Sequence, residues 1–184
     1  MNYSFKKLEI PDVVLINTKI FYDERGFFVE KFKFSEFKKY GLEIDIVQVN
    51  YAKSKKNVLR GLHYQLNPKA QGKLVYCIKG KIFDVAVDLR KGSPWYGKYV
   101  GVELSEGSNV CLWVPRGFAH GYVSLEDDTL VMYLTDEEYS PEYERGILWN
   151  DEFLLINWPV KEPIVSKKDS SLPLFKDAEN NFLY

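Results

Sequence analysis

Cysteine and histidine are scarce in this chain, with two of each in 184 residues. Cys77 and Cys111 stand in apolar runs, Leu74–Ile78 and Val110–Val114. That setting suits buried thiols acting as small hydrophobes, and their separation has no metal-type spacing. The two histidines, His63 and His120, fall short of the histidine cluster of a metal-dependent oxygenase or isomerase and would need carboxylates to complete one. Charge of one sign is lacking too: 25 basic and 26 acidic residues give a formal net charge of −1. Nucleic-acid binders carry a basic excess, so no nucleic-acid polymer is expected as a partner. No apolar run approaches membrane-spanning length, and Met1-Asn2-Tyr3-Ser4-Phe5-Lys6-Lys7 lacks the apolar segment of a signal peptide. A cytoplasmic protein with no membrane partner is the expectation. Repeats, low-complexity stretches and linkers are also missing, so residues 1–184 read as a single domain.

What is present is a core and many short strands. A hydrophobic content of 46% and an aromatic content of 16% exclude disorder. Phe83, Val85, Val87 and Leu89 alternate with Ile82, Asp84, Ala86 and Asp88, the period-two pattern of a strand. With Leu74–Ile78 and a turn at Lys79-Gly80, this stretch predicts a hairpin. Further strands are predicted at Val13–Lys19, Phe27–Phe32, Ile44–Tyr51, Val58–Gln65, Tyr99–Leu104, Val110–Val114, Gly121–Ser124 and Leu130–Thr135. Ser35 is placed to cap a helix over Glu36–Tyr40 that Gly41 stops, and Ser140-Pro141 to open a short turn. From about Asp151 the alternation fades, and a tail with Pro159, Pro163 and Pro173 is expected to wrap the rest. The pattern is all-β, a sandwich or barrel with few short helices.

Chemistry concentrates in Arg60-Gly61-Leu62-His63-Tyr64-Gln65 and Gln71-Gly72-Lys73. A histidine trades protons near neutral pH, an arginine suits a phosphate, and a lysine suits a developing oxyanion. Together they point to acid–base chemistry on a phosphorylated carbonyl compound. Gln65, two residues after His63, shares its strand face. His120 closes a second polar patch, Pro115–Gly121.

These motifs, taken in order, resemble the dTDP-4-dehydrorhamnose 3,5-epimerase family. The matching stretches are Asp23–Glu30, Gln48-Val49-Asn50, Arg60–Gln65, Gln71–Val75, Phe83–Arg90, Gly117–Gly121, Tyr133, Tyr139-Ser140-Pro141 and Ser166–Asp169. Leu134 and Ser170 depart from the family's usual pattern. The resemblance implies a cupin-type double-stranded β-helix, or jelly-roll, barrel. It also implies a homodimer, a dTDP-sugar substrate, and no metal or organic cofactor. Epimerisation beside a ketone needs a base on one side, an acid on the other and a cation at the enolate oxygen.

On the resemblance, His63 is the base, Asp169 its carboxylate partner, Tyr133 the acid and Lys73 the enolate stabiliser. Arg60 and Lys168 hold the pyrophosphate, and His120 and Glu144 line the sugar pocket. Gln48, Val49 and Asn50 meet the nucleotide together with Arg25, Phe28 and Glu30 of a partner subunit, and Tyr139 stacks on the base. Each residue also has a plainer reading. His63 and His120 suit core histidines, Lys73 and Glu144 surface charges, and Ser166-Lys167-Lys168-Asp169 has nearly the form of a helix capping box. A non-catalytic sugar-nucleotide binder, and a single-site epimerase or ketoisomerase on a related dTDP- or GDP-linked keto sugar, are the rival functions.

Overall fold

A computed structural model describes residues 2–184. The chain runs through β1 (Tyr3–Lys7), β2 (Val14–Thr18), β3 (Ile20–Asp23), β4 (Gly26–Val29), helix α1 (Phe34–Lys39), β5 (Gln48–Ser54), β6 (Val58–Gln65), β7 (Lys73–Lys79) and β8 (Lys81–Asp88). It continues through β9 (Tyr99–Ser105), β10 (Val110–Val114), β11 (Phe118–Ser124), β12 (Thr129–Thr135), β13 (Glu144–Gly146), β14 (Ile164–Val165) and helix α2 (Lys167–Ser170). One sheet has the order β1-β2-β10-β7-β12-β5 and the other β13-β6-β11-β8-β9, with β14 added in parallel beside β6. From β5 to β13 the chain passes repeatedly from one sheet to the other, which makes the pair the jelly-roll of a cupin-type barrel.

Both sheets are covered on their outer faces. Between them lie Val75, Cys77, Ile82, Ala86, Leu112, Phe118, Tyr122 and Val131. Outside the first sheet, Tyr76, Cys111 and Trp113 pack with Tyr3, Phe37 and Ile44. Outside the second, Leu59, Leu62, Tyr64, Val85, Val87 and Val123 pack with Leu154, Trp158 and Phe182 of the C-terminal tail. The tail therefore wraps the barrel as its composition suggested. Double coverage explains why runs such as Val110–Val114 are nearly continuously apolar rather than alternating.

Three expectations are corrected. The hairpin over Leu74–Leu89 does not form: β7 lies between β10 and β12, and β8 between β11 and β9. Gly80, with φ 76°, turns a corner between the sheets, where an added Cβ would stand 2.6 Å from Thr129 Oγ1. Two apolar runs joined by a glycine signal a reversal of direction, but not which neighbours the strands take. Helix α1 starts from Lys33, and Ser35 lies inside it rather than capping it. Burial of Phe37 against Tyr3, Phe5 and Phe32 anchors that short helix in place of a cap. The segments β1 and β3 are strands that the alternation did not reveal.

One irregularity positions the site. In β6, Leu59 faces the tail, and so do Leu62 and Tyr64, so the alternation skips a residue at Gly61. The pairing with β11 records the same slip: His63 stands opposite His120, yet Arg60 stands opposite Tyr122. This bulge puts Arg60 and His63 on the same inner wall, which their odd spacing would forbid in a regular strand. It needs a glycine, because φ is 122° and an added Cβ would lie 2.6 Å from Gly121 Cα. Gly61→Ala is expected to cost roughly 3 kcal/mol by combining backbone strain with overpacking. The urea midpoint measures it, with Gly92→Ala (φ 91°, open surroundings) as the variant that isolates strain. Equal midpoints for the two variants would show that the close approach to Gly121 is unimportant.

Candidate active site

The mouth of the barrel holds two adjoining hollows of about 520 and 280 Å³ that share His63, Lys73, Tyr133 and Glu144. Their linings come from both sheets. The second sheet contributes Arg60, His63 and Gln65 from β6 and His120 and Tyr122 from β11. The first contributes Gln48 and Asn50 from β5, Lys73 from β7 and Tyr133 from β12. His63 and Tyr133 therefore belong to facing walls.

His63 Nε2 lies 2.8 Å from Asp169 Oδ1, and the Gly61 N–H donates to Asp169 Oδ2 at 3.2 Å. Burial acts to raise the Asp169 pKa, but the hydrogen bond and charge of His63 and the Gly61 N–H outweigh it, so the carboxyl is held below its ordinary value. An ionised carboxylate fixes the imidazole proton on the nitrogen it faces and leaves the other as a lone-pair base. The capping motif is real as well. Ser166 Oγ accepts from the Asp169 N–H at 3.0 Å and starts α2. Asp169 returns no bond to Ser166; its carboxylate reaches into the barrel instead.

A second such pair lies beside the first. His120 Nε2 is 2.7 Å from Asp84 Oδ1, and Asp84 is fully buried. Asp84 had not been singled out from the sequence. The signal was a carboxylate inside an apolar strand, which burial tolerates only when the group is paired.

Lys73 Nζ donates to the His63 carbonyl at 3.4 Å. Burial lowers its pKa to about 8, against the opposing pull of Asp84 and Glu144. Burial raises the Tyr133 pKa, with Arg60 opposing, so the phenol keeps its proton. At the rim, Glu144 Oε2 accepts from Tyr139 Oη at 2.7 Å and from Lys168 Nζ at 2.5 Å. Burial acts to raise the Glu144 pKa, but these two bonds bring it below its usual value. Arg60 enters the larger hollow with Nε on Ser54 Oγ at 3.1 Å.

Five expected residues lie outside the lining of the two hollows within one chain, one of them, Lys168, at the rim on Glu144. Val49 turns its side chain to the outside of β5 and is 53% exposed. Arg25 pairs with Asp23 in the β3–β4 ribbon, Phe28 is exposed on it, and Glu30 accepts from Tyr3 Oη at 3.1 Å. Among the described residues no group of three or more His, Cys, Asp or Glu converges to hold a metal ion.

Residues 7–177 match the family model described as dTDP-4-dehydrorhamnose 3,5-epimerase. The chain belongs to that family. It is 52% identical over 174 residues to the Shigella flexneri dTDP-4-dehydrorhamnose 3,5-epimerase, covering 94% of this chain and 96% of the relative. The Bacillus anthracis enzyme, solved with TDP and PPi bound, superposes with a TM-score of 0.91 at 43% identity, covering 94% of this chain and 99% of that one. The Legionella pneumophila epimerase, solved with dTDP-4-keto-L-rhamnose, superposes with a TM-score of 0.91 at 40% identity, covering 95% and 93%. This member of the epimerase family is thus an isomerase on a cupin-type barrel.

The buried Lys73 predicts a basic limb in the pH profile. Lys73 stabilises an oxyanion only as the ammonium, and burial favours its neutral form. Its proton is lost through pH 8 rather than near the ordinary lysine value of about 10.4. The kcat/KM profile is expected to fall above an apparent pKa of about 8. A profile flat to pH 10 would remove Lys73 as the titrating group.

Proposed function

We propose that this chain epimerises dTDP-4-dehydro-6-deoxy-D-glucose at C3 and C5 to dTDP-4-dehydro-L-rhamnose, a step of dTDP-L-rhamnose biosynthesis. The reading is carried by the placement of His63 and Tyr133 on opposite walls of one cavity. His63 removes the proton from a carbon beside the C4 ketone. The electron pair moves to the ketone oxygen, and the Lys73 ammonium stabilises the resulting enolate. Tyr133 returns a proton to the opposite face of the same carbon, which inverts it. Once His63 has given its proton to solvent and Tyr133 has regained one, the sequence repeats at the second carbon. Protons lost and gained balance, so the reaction is redox-neutral and needs no cofactor.

Arg60 and Lys168 carry positive charge for the diphosphate, the latter by exchanging Glu144 for phosphate oxygens. His120, held by Asp84, meets sugar hydroxyls. Gln48, Asn50 and Tyr139 line the smaller hollow, where the thymine ring fits. In heavy water, deuterium is expected at both C3 and C5, with the inverted product trapped by a reductase. Label at one carbon only would make the protein a single-site epimerase or ketoisomerase. His63→Ala should abolish exchange. Tyr133→Phe should lower net epimerisation by about 10²–10⁴-fold while leaving some exchange.

The working unit we propose is a homodimer of this single domain, 1–184, in the cytoplasm. Its support is exposed apolar surface: Val47, Val49 and Tyr51 on or beside edge strand β5, and Tyr22, Phe27 and Phe28 on the ribbon, are each more than half exposed. A partner's ribbon laid over the cavity would bring in Arg25, Phe28 and Glu30. Two unpaired cysteines suit a reducing compartment. Light scattering should give twice the chain mass, and Tyr51→Lys should yield monomers with reduced kcat/KM. Fully active monomers would remove the partner's residues from the site.

A further inference from the structure

The segment that carries Tyr139 lies outside the strands, between the end of β12 and the start of β13. Four backbone groups of Glu137–Ser140 are satisfied by the side-chain amides of three glutamines. Gln71 Nε2 donates to the Glu137 carbonyl at 2.8 Å, and Gln48 Oε1 accepts from the Tyr139 N–H at 2.9 Å. Gln65 makes the other two, accepting from the Ser140 N–H at 2.7 Å and donating to the Glu138 carbonyl at 3.1 Å. Its Nε2 also donates to the Lys69 carbonyl at 2.6 Å, which ties down the loop that carries Gln71.

Gln65 is only 3% exposed and spends both amide donors on backbone carbonyls. Although it lines the smaller hollow, it has no donor left for a ligand. It also stands opposite Glu144 in the β6–β13 pairing, and Glu144 holds the Tyr139 hydroxyl. Gln65 thereby holds the backbone on either side of the tyrosine, and the strand it pairs with holds the tip. The ring itself is half exposed at the mouth.

We infer that Gln65 is a positioning residue that sets affinity for the nucleotide half of the substrate by holding the Glu138–Ser140 segment, and through it the Tyr139 ring. The inference rests on the proposed reading that Tyr139 meets the thymine. Pre-ordering a flat aromatic at the mouth removes an ordering cost from binding and leaves proton transfer at His63 and Tyr133 untouched.

The test uses dTDP as the calorimetric probe and the full reaction for kinetics. Gln65→Met keeps the length and removes the three bonds. It is expected to weaken dTDP binding and raise KM by about tenfold, with kcat within about twofold. In a Tyr139→Ala background the same substitution should change affinity by less than about twofold, because the route through the ring is already cut. Gln71→Met, which releases the same segment at Glu137, should shift KM in the same direction and gives a reading if Gln65→Met does not fold. A fall in kcat with KM unchanged, or effects of Gln65→Met and Tyr139→Ala that multiply, would overturn the inference. Wild-type protein that binds dTDP while both glutamine variants bind equally well would overturn it alone. Wild-type protein that ignores dTDP would overturn the nucleotide reading and this inference with it.

Discussion

Burial of both faces of both sheets is the constraint on which everything else depends. Helix α1 and its flanking segments cover one sheet, the C-terminal tail covers the other, and the barrel interior is apolar. A buried charge is tolerated only when paired, so ionisable groups inside this barrel must meet one another or gather at its mouth. They do both. Asp84 is matched to His120 and Asp169 to His63, while Lys73 and Arg60 stand among these pairs. The low-dielectric floor that stabilises the fold also lowers the proton affinity of Lys73 and keeps Tyr133 a phenol.

The two facing sheets then do what a single sheet cannot. An epimerase must approach one carbon from two sides, and groups on one wall share a side. By crossing between sheets at nearly every turn from β5 to β13, the chain supplies each wall from several strands. The glycine pair at the bulge completes the arrangement, because without the skipped residue at Gly61 the wall of His63 would lose Arg60. Backbone permissiveness at one position thus decides which charges the cavity holds.

Much of this is legible in the sequence. Apolar runs bounded by polar turns located β6 and β10 to the residue. His63, Lys73, Tyr133 and His120 converge on one cavity; chemical type had pointed to the first two, and the family resemblance to the other two. Partner choice was not legible. The glycine after β7 marks a turn, yet the strands on either side bond to others, since hydrogen-bond partners lie far away in sequence. Asp84 went unnoticed because its mate, His120, is contributed by another strand. Ser166–Asp169 shows two signals sharing four residues: the backbone half is a helix cap, and the side-chain half serves a histidine 106 positions earlier. Helix α1 misled because a buried phenylalanine stands in for a cap.

The carboxylate that orients His63 comes from the tail, beyond every strand of the barrel. Apart from β14, the two sheets and most of the cavity lining are contributed by residues up to 146, so the walls of the cavity and the group that orients its base come from different parts of the chain. A cut in the exposed stretch around Lys161 and Glu162 would put Asp169 on a separate segment, tied to the walls by β14 and by the packing of Phe182. Orientation of the base is thus tied to the same segment that covers the sheet carrying it.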